Sequence, residues 1–307
     1  MLPSLDLVQS GWQHTPSRQN REVDWGQILI DRELAADSAV AVSRRPKLQV
    51  AIPDVRAPLP YSDYLIQQHL GTGGMGKVYR AMQRSLDRPV AVKALLKSRL
   101  SNPRAVEQFL QEARIVGSLR HPNIVGVHGL GRFPGGGYFL VMDFVQGEDI
   151  AAKLRGGPVS IADAVKITAD VAGAIHYAHQ QGVIHCDLKP ANVLVERSGR
   201  VYVVDFGLAA LVKCAPSVVD GGTHGFLAPE VAASSCEPTV AIDVFGLGAL
   251  LYALLTGKPP HERASPLLLP PTMPEWVRAV CARCLDPEPL NRFASAFDVQ
   301  QGLAMRI

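Results

Sequence analysis

The sequence predicts an α+β fold in two lobes: an antiparallel β-sheet lobe, then a mainly helical lobe. Three observations predict it. From Tyr64 to Phe144, Val-rich alternating segments are separated by Gly-rich turns, the pattern of paired strands. After Gly147, apolar residues recur at helical spacing instead. The chain's 307 residues, 47% apolar and 19% charged, are enough to bury the core of one large domain or two lobes.

In chain order, residues 1–60 come first. Prolines and mixed charges interrupt any periodicity there, which leaves a partly ordered arm or a segment that docks on the rest. "WGQILIDRELAA", Trp25 to Ala36, reads as a short strand leading into a helix. "YLIQQHLGTGGMGKVYRAM" reads as strand, turn, strand, and "RPVAVKALL" as a third strand. In "AVEQFLQEARIVGSL", Val106, Phe109, Leu110, Ala113, Val116 and Leu119 make one helical face. "GGYFLVMDFV" is another strand. "IADAVKITADVAGAIHYAHQQG" is a helix stopped by Gly182, short strands follow in "VIHCDLKPANVLV" and "RVYVVDFG", and helices close the chain around 240–257 and 274–285.

Composition excludes several classes. A net charge of +3 over this length gives no reason to expect nucleic-acid binding. Five scattered cysteines, at 186, 214, 236, 281 and 284, do not form a disulfide framework and suit a reducing cytoplasm. Cys281 and Cys284 make one C-x-x-C without two further ligands at zinc spacing, so half-buried packing on a helix is expected. No apolar core follows a basic start at the N-terminus. "VAIDVFGLGALLYALLTG", Val240 to Gly257, carries Asp243 and is apolar on every face, which predicts a buried core helix and no membrane anchor. No feature sets an oligomeric state.

Four groups could carry chemistry. "GTGGMG", Gly71 to Gly76, lets backbone N–H groups approach phosphate oxygens because no Cβ intervenes. On its own it is equally an ordinary hairpin turn, and the strand that follows argues against a dinucleotide site. Lys93 stands in the middle of an apolar strand, where a lysine needs an acid, and Glu112 on the next helix is the candidate. Asp205 and Asn192 offer two hard oxygen ligands suited to Mg²⁺. Asp187 has no mate at that spacing and is expected to be free to orient a substrate hydroxyl.

Together these residues resemble the signature of eukaryotic-like Ser/Thr protein kinases of bacterial type. The motifs are "LGTGGMGKV", "AVK", Glu112 in "FLQEARIVGSLRHPNIV", "HCDLKPAN", "DFG", "GTHGFLAPE", "DVFGLG" and Arg292 in "PLNRFASA". They run in order from about Tyr64 to the C-terminus. The resemblance implies a bilobal protein-kinase-like fold over residues 61–307: a sheet lobe to about 142, a hinge at 143–147 and a helical lobe from 148. It implies ATP and Mg²⁺ in the cleft and a protein Ser or Thr hydroxyl as acceptor. Leu70, Gly71, Thr72, Gly73, Gly74, Met75 and Gly76 would cover the nucleotide. Val78, Ala91 and Leu194 would sandwich adenine, Met142 would stand at the back of the pocket, and Asp143 and Val145 would offer hinge backbone. Lys93, held by Glu112, would grip phosphates, and Asn192 and Asp205 would bind metal. Asp187 would receive or orient the hydroxyl proton, and Lys189 would steady the γ-phosphate. Thr223 would bond Asp187 and Lys189, and Glu230 would pair with Arg292.

Two departures stand out. Cys186 replaces the family's Arg, which pairs with a phosphate on the activation segment, and Ser217 is the only hydroxyl residue between Gly207 and Gly222. Activity without strong dependence on phosphorylation of that segment follows as an expectation, with Cys186 as a small buried filler. The stretch between Pro260 and Trp276 is short and Pro-rich where the family has a longer loop and a further helix. Three rival readings remain: a pseudokinase scaffold, opposed by the intact Lys93, Glu112, Asp187, Asn192 and Asp205; a small-molecule kinase, opposed by "GTHGFLAPE" and Arg292; and an interaction protein using residues 1–60, as an added function.

Overall fold

The Val-rich segments pair into one sheet because alternate residues can be buried against a helix and against each other. The strands are β1 (Tyr64–Thr72), β2 (Gly76–Gln83), β3 (Arg88–Leu95), β4 (Val127–Arg132) and β5 (Tyr138–Asp143), in the antiparallel order β1-β2-β3-β5-β4. This computed structural model describes residues 59–206, 210–211, 225–232, 239–260 and 269–304. Between β3 and β4 lie the short α1 (Lys97–Leu100) and the longer α2 (Pro103–Ser118). Asn102 caps α2 by accepting from the N–H groups of Arg104 and Ala105, and Pro103 occupies the first turn, where a missing N–H costs nothing. The helix turns Phe109, Glu112 and Ala113 inward, and Phe109 meets Leu95 and Leu140 of the sheet.

β4 escapes the sequence reading because Gly129 and Gly131 hide its alternation. Both glycines make room for neighbours. A Cβ at Gly131 would overlap the Phe139 ring, and one at Gly129 would lie 2.8 Å from the Leu59 side chain. Leu59 itself donates its N–H to the Leu130 carbonyl at 3.3 Å, so the chain enters the sheet alongside β4.

The second part begins with β6 (Gly147–Asp149) and α3 (Ile150–Leu154), then α4 (Ile161–Gln180), capped by the Ser160 hydroxyl. The short strands β7 (Val183–Ile184), β8 (Val193–Glu196), β9 (Val201–Val203) and β10 (Ala210–Leu211) frame a loop at 185–192 and a turn at 204–206. β6, β8 and β9 form one small sheet, and β7 and β10 another. After α5 (Pro229–Ala232), α6 (Val240–Thr256) buries every residue from Ile242 to Leu255 and stops at Gly257 in left-handed backbone, φ 73°. α7 (Glu275–Cys284) and α8 (Ala296–Ala304) pack around α6, and α8 also lies along α4. Among the described residues no helix is long and apolar enough to cross a membrane.

Cys281 and Cys284 are both buried against α6. A Cβ at Gly248 would overlap Cys284, so that glycine is what lets the two helices approach. Burial pushes the Cys281 thiol up to about 12, and Cys284 is raised as well.

Candidate active site

Lys93 comes from the centre of β3, where its neighbours force the side chain under the sheet. Its Nζ donates to Glu112 Oε1 at 2.7 Å and to Asp205 Oδ1 at 2.8 Å. The pair predicted from one buried lysine is therefore a triad. Burial alone would lower the Lys93 pKa, but the Asp205 and Glu112 carboxylates reverse this and hold it well above the usual range. Asp205 also loses hydration, yet the Lys93 ammonium pulls its pKa below the ordinary value. Glu112 is raised, because its burial outweighs what Lys93 returns, and its Oε2 is buried without a partner among the described residues.

The loop after β7 is held from below. Asp243, in the first turn of α6, is 1% exposed. Its Oδ2 accepts from the His185 N–H at 2.8 Å and Oδ1 from the Cys186 N–H at 2.9 Å. His179 Nε2 lies 2.8 Å from Oδ2. Burial raises the Asp243 pKa, but the His179 hydrogen bond and the facing histidines more than offset this, and the net direction is down. With these tethers Cys186 sits in left-handed backbone at φ 63°, and Asp205 does so at 62°. Such conformations cost about 1–3 kcal/mol in a non-glycine residue and persist where surrounding bonds impose them. The His185 ring is buried against Phe206, centroids 4.6 Å apart, and links Asp187 N–H to the Val204 carbonyl.

Asp187 is not mateless. Lys189 Nζ reaches its Oδ2 at 2.7 Å and its Oδ1 at 3.0 Å, and Asn192 Nδ2 reaches Oδ2 at 3.0 Å. The expectation of a free carboxylate is corrected: residues two and five positions along a loop meet it, which spacing rules for helices and strands do not reveal. Asn192 uses its Nδ2 twice, the second time on the Asp187 carbonyl at 2.8 Å. Its Oδ1 has no partner among the described residues. Cys186 is half-buried rather than a fully buried filler, with its Sγ 3.7 Å from the Ile184 carbonyl.

Of the remaining predicted residues, three border a cleft and the others lie on the sheet. Leu70, Val145 and Leu194 border a cleft of about 910 Å³ that continues over Glu148 and Asp149. Val78 and Ala91 face each other's strands on β2 and β3, and Met142 pairs with Ala91 across β5. The Asp143 carboxylate turns toward β4, taking the Gly126 N–H at 3.0 Å and His128 at 2.9 Å, while its own N–H is used by Gly126. Gly147 occupies the Val145 carbonyl at 3.1 Å and leaves the Val145 N–H.

In the Gly-rich turn, which also holds Thr72 and Met75, only Gly76 is demanded by packing: a Cβ there would lie 2.6 Å from the Ala94 carbonyl oxygen. Gly71 and Gly74 have nothing within 4 Å, and none of the four glycines has a positive φ. The protein's own packing does not require glycine at 71 or 74, whereas close approach of a phosphate does. Gly207, Ser217 and Thr223 lie outside the described residues, as does most of the Pro-rich stretch after Pro260.

The protein kinase domain family matches residues 64–295. The chain belongs to the protein kinase family. Its relatives include the Ser/Thr-protein kinase PknA of Mycobacterium tuberculosis, 35% identical over 252 residues, covering 76% of this chain and 58% of that one. PkaA of Streptomyces coelicolor is 36% identical over 272 residues, covering 79% and 49%. The chain thus spans only about half the length of these relatives. Among solved structures, the M. tuberculosis PknI kinase domain superposes with a TM-score of 0.61 at 26% identity, covering 82% of this chain and 99% of that one. A double mutant of that domain reaches 0.67. The protein kinase fold of a sheet lobe over a helical lobe is therefore the fold of this chain, and the bacterial eukaryotic-like branch is where its relatives lie.

Sequence reasoning missed His179 as a member of this kinase core. The available signal was a polar residue on the helix stripe that holds Ile175 and Ala178, one turn before Gly182.

Proposed function

We propose that this chain is a protein kinase that transfers the γ-phosphoryl group of ATP, with Mg²⁺, to Ser or Thr hydroxyls of proteins. The observation that carries the reading is the convergence of two clusters: Lys93 shared by Glu112 and Asp205, and Asp187 held by Lys189 and Asn192. One ammonium between two carboxylates leaves the first cluster one negative charge in excess. With the Asn192 Oδ1 as a further hard donor, this set suits Mg²⁺. Asn192 and Asp205 would hold the ion, which supplies charge neutralisation across the phosphates when bound.

In this reading adenine lies between Val78, Ala91 and Leu194, with its edge at the Asp143 carbonyl and the Val145 N–H and Met142 behind it. Leu70 and the turn from Gly71 to Gly76 cover the phosphates. Lys93 binds the phosphate oxygens, and Glu112 keeps it from swinging away. Asp187 orients the acceptor hydroxyl and takes its proton at a carboxylate oxygen. Lys189 holds that carboxylate in place and offsets charge as the phosphoryl group moves. Residues 1–60 are an appended arm, with the kinase domain spanning 61–307.

The loop carrying Asp187 is anchored through backbone N–H groups of His185 and Cys186, not through the side chain at 186. This supports activity that does not depend strongly on phosphorylation of the activation segment. Ser217→Ala keeps activity within about threefold of the parent if so; a large loss restored by Ser217→Glu contradicts it. For the reaction itself, the test is transfer from γ-labelled ATP to a generic basic protein. Label on phosphoserine or phosphothreonine, absent in Asp187→Ala, is the expected result. Label on an aminoglycoside instead, or on nothing, overturns the reading.

A further inference from the structure

Arg80, on β2, is half-buried, and its Nε is buried without a hydrogen-bond partner among the described residues. What the guanidinium meets is an aromatic face: its central carbon lies 5.0 Å from the centroid of the Phe144 ring, within reach of a cation–π contact. Side chains alternate along a strand, so Arg80 shares a face of β2 with Val78, two residues before it. Across the sheet Arg80 stands opposite Ala91, and Ala91 opposite Met142 of β5. Ala91 puts only a methyl between them, so the long side chain crosses it to the chain just past the end of β5.

Phe144 is the first residue after β5 and has few other ties. Its ring belongs to none of the apolar clusters among the described residues. Its backbone makes no main-chain hydrogen bond there, whereas the Asp143 N–H before it and the Val145 carbonyl after it are both engaged. Phe144 nevertheless borders the same cleft as Leu70, Val145 and Leu194, together with Gln68, which stands opposite Arg80 on β1. The contact with Arg80 therefore ties this segment to the strand that follows the Gly-rich turn.

We infer that Arg80 is a positioning residue for the nucleotide: by holding Phe144 it sets the spacing between β2 and the hinge, and with it the slot offered to adenine. The inference rests on the kinase reading proposed above. Val145 follows Phe144 directly, and its N–H is the donor assigned to the adenine edge. Without the contact the hinge samples other backbone angles, and apparent affinity falls with the fraction of chains that are competent to bind. The planar, weakly hydrated guanidinium suits an aromatic face better than a lysine ammonium does. Arg80 makes no bond to the Lys93 or Asp187 clusters, so the transfer step is unchanged once ATP is bound. A desolvated contact of this kind corresponds to a factor of about 5 to 30 in affinity.

The test compares the full chain with Arg80→Leu, Phe144→Leu and the double variant. Calorimetry gives affinities for MgATP, adenosine and magnesium tripolyphosphate, and transfer from γ-labelled ATP gives KM and kcat. Each single variant is expected to weaken MgATP and adenosine by about 5 to 30-fold and to raise the KM for ATP alike. Tripolyphosphate affinity and kcat stay within about twofold of the parent. The double variant is no weaker than the weaker single one, and Arg80→Lys and Phe144→Tyr each recover part of the loss. Phe144 lies outside the apolar clusters, so Phe144→Leu keeps the fold and carries the test even where Arg80→Leu does not fold. Adenosine affinity within twofold of the parent in the single variants overturns the inference. So does an equal loss for tripolyphosphate, which marks a general loosening of the sheet, or a double variant that loses the product of the two factors. A parent that binds no MgATP overturns the kinase reading and this inference together; a parent that binds it, with unchanged variants, overturns this inference alone.

Discussion

At the scale of single residues, the site is a set of charges that hold one another in place, with Lys93, Glu112 and Asp243 buried. Asp243 is the clearest case, since its carboxylate receives two backbone N–H groups and a histidine in the dry interior. Asp243→Asn replaces an acceptor by a donor opposite those N–H groups and is expected to cost about 3–5 kcal/mol in denaturant unfolding. The pH sign follows from the lowered folded pKa: the carboxylate binds its proton more readily in the unfolded chain. Its stabilisation is complete above the ordinary value of 3.8 and is lost as pH falls through the lower folded value. The difference between parent and variant stays flat from about pH 5 to 7 and shrinks below about pH 4. The cysteines divide by the same logic. Cys281 and Cys284 are buried with raised pKa values, so a thiol reagent read by mass spectrometry labels them only on unfolding. Labelling of either in the native chain at the rate of Cys186 contradicts this packing.

At the scale of elements, the Gly-rich turn and the α5 contact make separable predictions. Gly76→Ala forces a Cβ toward the Ala94 carbonyl and is expected to lower stability by about 1–3 kcal/mol. Gly74→Ala meets nothing, so it keeps the melting temperature and raises the KM for ATP instead. Equal effects of the two on stability contradict that division. Arg292 is fully buried and meets Glu230 of α5 with two bonds, at 2.6 and 2.8 Å. Removing one partner leaves a buried charge, so Arg292→Met and Glu230→Gln are each expected to cost about 3–5 kcal/mol, with the double variant far less than their sum.

What was legible at this scale had a local physical demand behind it. A lysine amid β3 apolar residues requires an acid, and Glu112 was readable for that reason. β1, β2, β3 and β5 announce themselves by alternation. β4 does not, because Gly129 and Gly131 are chosen by Leu59 and Phe139, residues outside the strand. α8 is short and was not read, though it lies along α4. The partners of Asp187 and the anchor at His179 depend on how a loop folds back, and periodicity carries no record of that.

At the scale of the whole molecule, the site draws on residues from distant parts of the chain. Lys93 and Asp205 are 112 positions apart, and Asp243 reaches back 58 to His185. The family motifs made that meeting readable, since they name which distant residues come together. The central claim is that the cluster around Asp187 turns bound ATP over instead of only holding it. The most direct measurement compares the parent with Asp187→Asn for MgATP affinity and for single-turnover transfer to a protein hydroxyl. The account predicts affinities within about threefold and transfer slowed by about 10²–10⁴, the range for loss of a positioned base. Transfer within tenfold of the parent, or a parent that binds MgATP and transfers nothing, would contradict it.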